Sequence, residues 1–193
     1  IAVRAWRDLG EALPFFLVGD PAHLPKGTPI AEIDSPSEAA RAAKRGLPVL
    51  AHAFPAPAVP GKPAPENAAA IVAVIARAVA LVMAGEASAL TTLPIAKKAL
   101  KDGAGFAFPG HTEYLASLAG TDRVVMMLAC PELRVVPVTI HMPLAEVPAA
   151  LTAELLAETQ RVVRAVLDAL AAGHALFLVD LGLIVGTGGL RRV

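Results

Sequence analysis

Apolar positions recur along this chain with two different spacings. Short apolar runs are typical of buried strands, and longer stretches with helical spacing lie between them. This alternation predicts an α/β protein, in which helices cover a sheet. The predicted helices cover 2–12, 36–45, 66–84, 112–119, 144–150 and 152–171, with a further helix after a turn at Lys97. The predicted strands cover 15–19, 48–51, 88–92, 123–129, 134–140 and 175–180.

A proline-rich stretch near 54–65 interrupts this alternation. Because proline lacks a backbone N–H and fixes φ, the stretch can neither pair as a central strand nor continue a helix. We predict a stiff connector. Its prolines are Pro55, Pro57, Pro60, Pro63 and Pro65.

The helix predicted over 66–84 is apolar enough to be compared with a membrane span. Its one charged residue beyond the first turn is Arg77, and a central arginine costs about 2.5–3.5 kcal/mol on insertion scales. Pro65-Glu66-Asn67 is typical of the start of a helix in a soluble protein, and Gly85 is a suitable stop. We therefore predict a helix buried in the core or at a subunit interface, and no membrane association.

Composition changes this picture little. The chain has 17 basic and 17 acidic residues, so no net charge favours nucleic acid or an acidic membrane surface. Its single cysteine, Cys130, follows Met-Met-Leu-Ala and is predicted to pack in the core. The first residues have an amphipathic pattern rather than that of a signal peptide, so we expect a cytoplasmic protein.

Candidate chemistry begins at the turn Phe108-Pro109-Gly110. His111 and Thr112 leave this turn and open a helix, whose free N–H groups favour a phosphate or a carboxylate. Lys97 could add a positive charge. The alternative interpretation is a surface turn in which Thr112 is the N-cap of the helix.

His141 is the second candidate. It follows the predicted strand 134–140, and ligands collect at the carboxyl ends of strands in α/β proteins. Imidazole is the commonest metal ligand, although a lone histidine is also compatible with a structural role. The remaining histidines are expected to be structural, exposed or at a helix end: His23, His52 and His174.

Four ordered blocks within 65–151 resemble the family of 4-hydroxythreonine-4-phosphate dehydrogenases, which are NAD-dependent metalloenzymes of vitamin B6 biosynthesis. The start of the chain, including Phe16-Leu17-Val18-Gly19-Asp20-Pro21, is similar to the first helix and second strand of that family. The four blocks are Pro94-Ile95-Ala96-Lys97, Phe108-Pro109-Gly110-His111-Thr112-Glu113-Tyr114, the stretch 120–129 (GTDRVVMMLA) and the stretch 133–144 (LRVVPVTIHMPL).

The resemblance implies an isocitrate-dehydrogenase-like, three-layer α/β/α fold with a mixed sheet, and a homodimer whose active site is shared between subunits. It implies oxidation and decarboxylation of 4-phosphohydroxy-L-threonine, or of a related acidic hydroxy substrate, with NAD or NADP. A divalent metal such as zinc, magnesium or cobalt would assist. By the same resemblance, His111 and Thr112 bind substrate, His141 binds the metal and Lys97 is a candidate catalytic residue.

The chain also departs from the family pattern. When 181–189 is laid over the family's glycine-rich metal loop, Ile184 takes the place of a metal histidine, and Ala96 replaces a polar residue before Lys97. The third histidine and the nicotinamide loops would lie beyond Val193. We therefore expect 1–193 to be an incomplete dehydrogenase unit, covering most of the family's N-terminal half and inactive alone. The alternative is a catalytically inactive, truncated homologue that retains an anion-binding crevice.

Overall fold

A computed structural model describes residues 1–10, 12–121, 124, 126–130, 132–140, 142–171, 178–179 and 183–186. The chain divides into two compact units, one formed by Ile1–Ala119 with Leu176–Val193 and the other by Gly120–Ala175. The helices are α1 (Ala2–Leu9), α2 (Ala39–Ala42), α3 (Ala68–Met83), α4 (Lys97–Ala104), α5 (His111–Leu118), α6 (Val147–Ala150) and α7 (Ala153–Ala171). The strands are β1 (Phe15–Gly19), β2 (Ile30–Ile33), β3 (Leu47–Ala51), β4 (Ala89–Thr92), β5 (Leu128–Ala129), β6 (Arg134–Val135), β7 (Leu178–Val179) and β8 (Leu183–Gly186).

The first unit is built on one mixed sheet with the strand order β2-β3-β1-β8-β4-β7. Strands β1, β2 and β3 are mutually parallel, and β4 is parallel to β7. Strand β8 runs antiparallel to both β1 and β4 and joins the two parallel groups. The predicted α/β class and mixed sheet are therefore confirmed, and β1, β3 and β4 all run in the same direction.

Strand β1 is buried along its whole length, as its continuous apolar run predicts for a strand covered on both faces. Alternate side chains enter two separate clusters. Phe16 and Val18 pack with residues of α3, whereas Phe15 and Leu17 pack with residues of α1. This alternation places helices on both faces of the sheet around β1.

Helix α3 places one apolar face in the core, with Ala68, Val74, Ile75, Ala78 and Val79 buried. With the 3-10 turn before it, the helix runs over Pro65–Met83 and is long and apolar enough to cross a membrane. Its Arg77 guanidinium, however, donates a hydrogen bond to the Ala51 carbonyl oxygen at 2.8 Å, and Met83 is 62% exposed. The prediction of a buried helix thus holds for one face, and that face contacts the sheet.

Several predicted elements are shorter than expected, and two strands were missed. Helix α1 ends at Leu9, and the helix predicted over 36–45 consists of a 3-10 turn, Pro36–Glu38, followed by the short α2. Strand β2 was not predicted, because only its alternate residues are buried and it forms no continuous apolar run. Strand β8 depends on pairing with β1 and β4, distant segments that no local pattern reveals.

Among the residues that the structure describes within 123–129 and 134–140, the predicted strands appear as the two-residue strands β5 and β6, which pair antiparallel in the second unit. Cys130 is exposed, so its predicted place in the core is wrong. In the described part of that unit, two apolar side chains near Cys130 are also not buried: Leu128 and Leu133 are each 61% exposed.

The proline-rich stretch near 54–65 lies between β3 and α3, and three polar side chains fix its beginning. The Asp20 carboxylate accepts from the Phe54 N–H at 2.9 Å. The Asn67 amide accepts from the N–H of Ala56 and donates to its carbonyl oxygen, each at 2.9 Å, and His23 Nε2 also donates to that oxygen. His23 is therefore a structural residue, as expected.

The hydrogen bond from the Phe54 N–H lowers the pKa of Asp20, which can be measured. That N–H, supported by the N–H of Ala22 and the nearby charge of His23, holds the Asp20 pKa below its ordinary value of 3.8, although partial burial opposes it. Because the pKa of Asp20 is lower in the folded than in the unfolded chain, its ionised form stabilises the fold at pH values above the unfolded-state pKa. This stabilisation is lost as the pH falls through the folded-state pKa of Asp20.

We therefore predict that Asp20→Asn is less stable than the unaltered chain at about pH 6, and that the two free energies of unfolding converge toward about pH 3. Urea unfolding across this range measures the difference. A difference that stays constant with pH would show that Asp20 does not stabilise the connector through its charge.

Helix α4 approaches the start of α3 closely at Gly103. A Cβ atom there would lie inside contact distance of the Pro65 carbonyl oxygen and 2.8 Å from the Ala68 Cβ. The contact is with backbone, which cannot move aside as a flexible side chain could. The absence of a side chain at this position therefore sets the spacing of the two helices.

Gly103→Ala should lower the free energy of unfolding by about 1–3 kcal/mol, because overpacking outweighs the helix propensity that alanine adds. Lys101→Ala, on an exposed position of the same helix, is the matched control and should change stability by less than about 0.5 kcal/mol. Equal effects of the two substitutions in thermal and urea unfolding would contradict the close approach.

Candidate functional site

The carboxyl ends of β1, β3 and β4 lie at one edge of the sheet, since these strands run in the same direction. At this edge Thr92 ends β4, and its side chain is 1% exposed. Among the described residues, its Oγ1 has no hydrogen-bond partner. A buried hydroxyl without a partner is uncommon, and here it directly precedes the segment that leads to Lys97.

Lys97 is the first residue of α4 and not part of a separate turn. Its neighbour Lys98 forms an exposed ion pair with Asp102 within the helix, at 2.7 Å. Lys97 extends elsewhere: its Nζ lies 3.5 Å from the position that a Cβ atom of Gly110 would occupy. The Lys97 ammonium group therefore lies near the residue that precedes α5.

Helix α5 begins at His111, and Gly110 is its N-cap. The alternative in which Thr112 is the N-cap is wrong, because Thr112 is already the second residue of the helix. Because Gly110 has no side chain, no capping side chain accepts from the first N–H groups of the helix, although the Gly110 carbonyl oxygen accepts from the Tyr114 N–H at 3.4 Å. His111 is half-buried with its Nε2 atom covered, and Thr112 is exposed.

Three aromatic rings hold this helix start in place. Tyr114 packs against Phe106 and Phe108, with ring centroids 5.2 and 5.0 Å apart. Its hydroxyl donates to the Val72 carbonyl oxygen of α3 at 3.2 Å, and burial raises the pKa of Tyr114. Sequence reasoning missed this support, although the spacing of aromatic residues on both sides of Pro109-Gly110 was the available signal.

Glu113 is a second residue that sequence reasoning missed. It is the acidic residue in the first turn of α5, and its Oε2 lies 3.4 Å from the Cβ position of Gly110. A carboxylate near the positive end of a helix is stabilised there. The same end of α5 is therefore bordered by Lys97, Glu113 and the pair His111 and Thr112.

The structure does not assemble a metal centre from the residues it describes. Within these ranges no group of three His, Cys, Asp or Glu side chains could hold a metal ion. His141 and His174 lie outside the described residues. Ile184 belongs to β8, paired with Thr91, so its backbone is that of a strand within the sheet.

A cavity of about 340 Å³ opens beneath the proline-rich stretch, beside Ala96. Its lining is mostly apolar and includes Phe54, Val59, Ile71 and Leu100. Lys62, His23 and Asn67 also line it, and the last two bond to the backbone of Ala56. Apart from Lys62, the lining therefore suits apolar groups better than a phosphate.

Comparisons with curated proteins give one consistent result. The chain is 60% identical over 148 residues to the 4-hydroxythreonine-4-phosphate dehydrogenase of Paracoccus denitrificans, covering 75% of this chain and 45% of that protein. It is 52% identical over 169 residues to the enzyme of the same name from Roseobacter denitrificans, covering 87% and 52%. The chain thus spans about half the length of the curated relatives it matches.

Solved structures agree with this result. A 4-hydroxythreonine-4-phosphate dehydrogenase from Burkholderia phymatum superposes with a TM-score of 0.71 at 28% identity, covering 89% of this chain and 54% of that one. The enzyme from Klebsiella pneumoniae gives a TM-score of 0.68 at 26% identity, covering 79% and 50%. Residues 12–177 match the family described as pyridoxal phosphate biosynthetic protein PdxA, and because that match covers most of the chain, the chain belongs to the PdxA family.

Proposed function

We propose that the protein containing this chain is a dehydrogenase that oxidises and decarboxylates 4-phosphohydroxy-L-threonine, or a related acidic hydroxy substrate, for pyridoxal phosphate biosynthesis. Membership of the family and the shared name of the curated relatives support the reaction. The observation that carries the proposal is the start of α5, where the N-cap Gly110 has no capping side chain and the Lys97 Nζ lies 3.5 Å from its Cβ position, directly before His111 and Thr112.

The start of α5 suits the phosphate end of such a substrate. The N–H groups of its first turn donate to no N-cap side chain, and the helix dipole favours negative charge at that end. The hydroxyl of Thr112 and the imidazole of His111 can donate to phosphate oxygens, and the ammonium of Lys97 supplies a positive charge. In this proposal His111 and Thr112 bind the substrate, and Lys97 orients it or assists catalysis.

The proposal includes NAD or NADP and a divalent metal such as zinc, magnesium or cobalt. When bound, the nicotinamide would accept a hydride, and the metal would polarise the hydroxyl being oxidised. Among the described residues no group of three His, Cys, Asp or Glu side chains could hold the metal, and His141 is assigned to it through the family resemblance alone. The work proposed for the described residues is therefore to bind and orient the anionic end of the substrate.

The family also supports the finer architectural proposals. We infer a three-layer α/β/α arrangement of the isocitrate-dehydrogenase kind, since α1 and α3 contribute to clusters on opposite faces of β1. A cytoplasmic homodimer with a shared active site completes the proposal. The alternative of an inactive homologue has less support, because the two curated relatives are both named as the dehydrogenase.

The reaction is tested on the protein that contains this chain by following NADH or NADPH formation with 4-phosphohydroxy-L-threonine and a divalent metal. We expect reduced cofactor and carbon dioxide in equal amounts, and loss of activity on chelation. Failure to form reduced cofactor from this substrate and from other acidic hydroxy compounds, in a folded protein with metal present, would refute the proposed reaction.

The anion site is tested separately by phosphate binding. Thr112→Val should weaken the binding of inorganic phosphate by about 1–3 kcal/mol, or roughly 5-fold to 150-fold, because a hydrogen-bond donor to the anion is lost. Isothermal titration calorimetry measures the dissociation constant. Ser117→Ala removes an exposed hydroxyl near the other end of α5 and should leave binding unchanged; equal dissociation constants for Thr112→Val and the unaltered chain would remove Thr112 from the site.

A further inference from the structure

The cavity of about 340 Å³ beneath the proline-rich stretch has no part in the proposed reaction. It lies between that stretch and the helices α3 and α4, and it extends from the core to solvent. Ala68 and Leu100 are buried in its lining, whereas Val59 and Lys62 are exposed. Small-molecule sites have volumes of about 300–1000 Å³, and an apolar cavity of about 150 Å³ holds one benzene molecule. The volume here is therefore sufficient for one ring or a short alkyl chain together with a polar group.

The stretch that covers the cavity is held in place by its own hydrogen bonds. A tight turn at Gly61 is closed by the Lys62 N–H, which donates to the Val59 carbonyl oxygen at 3.0 Å. Gly61 has a φ of +75°, which glycine adopts without strain. Nearer the start of the stretch, the Asn67 side chain forms two hydrogen bonds with the backbone of Ala56. A ligand therefore has little backbone to order when it binds.

Water inside this cavity has few hydrogen-bond partners. The Asn67 amide and the His23 Nε2 are already bonded to the backbone of Ala56. Pro57 and Pro63, which also line the cavity, have no N–H to donate. Displacing poorly bonded water with an apolar group favours binding. The interior of the cavity therefore favours a ligand with an apolar body.

Lys62 gives the exposed side of the cavity a positive charge. It is the one lysine, arginine or acidic residue among the described residues of the lining, and none of the ion pairs between described residues involves it. Because Lys62 is exposed, an anionic group can meet its ammonium group and remain in contact with water. A singly charged anion matches this single cation. A phosphate dianion would bring two charges to a lining that is otherwise mostly apolar.

We propose that this cavity binds a small monocarboxylate. The apolar body of the ligand, a ring or a short alkyl chain, lies against Ile71 and Leu100, and its carboxylate pairs with Lys62. Burial of the apolar body supplies most of the affinity, because an ion pair in contact with water is weak, and the carboxylate orients the ligand. The site is separate from the anion site proposed at α5 and does not depend on it.

The experiment uses three probes on the protein that contains this chain. Hexanoate has the chain and the charge, hexan-1-ol has the chain alone, and acetate has the charge alone. In protein labelled with ¹³C at isoleucine and alanine methyl groups, we expect hexanoate and hexan-1-ol to shift the resonances of Ile71 and Ala99, and acetate to shift neither. The resonances are assigned by their absence in Ile71→Val and Ala99→Leu. Saturating inorganic phosphate should leave the affinity for hexanoate unchanged.

Two substitutions test the charge and the space separately. Lys62→Gln should weaken hexanoate binding about twofold to fivefold and leave hexan-1-ol binding unchanged, whereas Lys101→Gln, at an exposed position of α4 outside the cavity, should affect neither. Ala99→Leu fills part of the cavity and should weaken both ligands at least about tenfold. Ala104→Leu, at an exposed position of the same helix outside the cavity, should affect neither. Thermal unfolding establishes that each variant is folded, and Ala64→Leu, also in the lining, replaces Ala99→Leu if that variant is not.

The outcomes distinguish this inference from the proposed function. Weaker hexanoate binding by Lys62→Gln, with both ligands weakened by Ala99→Leu, supports it. The absence of methyl shifts at millimolar ligand, shifts of Ile71 that persist in folded Ala99→Leu, or displacement of hexanoate by phosphate would overturn the cavity site. Unchanged hexanoate affinity in Lys62→Gln would overturn the pairing with a carboxylate. If Thr112→Val fails to alter phosphate binding, the anion site at α5 is wrong and the cavity site is unaffected.

Discussion

The candidate site depends on the packing of two short helices against α3. Helices α4 and α5 have eight residues each, and isolated helices shorter than about 12–15 residues are marginal in water. Neither could fix the position of a binding residue alone. The close approach of Gly103 to Ala68 places α4, and the bond from Tyr114 to Val72 places α5. The relative positions of Lys97 and His111 are therefore set by the surface of α3.

Helix α3 is in turn fixed by the sheet. Its buried face packs into the same cluster as Phe16, Val18 and Leu50 of β1 and β3, and Arg77 bonds to the carbonyl oxygen that ends β3. The charged side chain of Arg77, in the middle of the apolar helix α3, thus attaches the helix to the end of β3 by a hydrogen bond. The connector between β3 and α3 is held as well, because Asp20 and Asn67 bond to its backbone. Hydrogen bonds and apolar packing therefore hold the end of β3, the proline-rich connector and α3 in fixed positions relative to one another.

Local patterns predicted much of this arrangement. The continuous apolar runs gave β1 and β3, the long apolar stretch gave α3, and the Pro109-Gly110 turn gave the start of α5. What the sequence could not supply was long-range pairing. Strand β8 is recognisable only through its partners in β1 and β4, and the expected core position of Cys130 was wrong because no local signal shows what lies over an apolar run.

The aromatic packing at α5 also gives this chain an intrinsic optical probe. The chain contains one tyrosine and one tryptophan, and they lie in different clusters. Tyr114 stacks with Phe106 and Phe108 three residues beyond His111, whereas the Trp6 Nε1 donates to the Ala43 carbonyl oxygen at 3.0 Å. Ultraviolet absorption or emission from tyrosine therefore reports on the start of α5, and tryptophan emission reports on the docking of α1, so events at these two places can be followed separately without an added label.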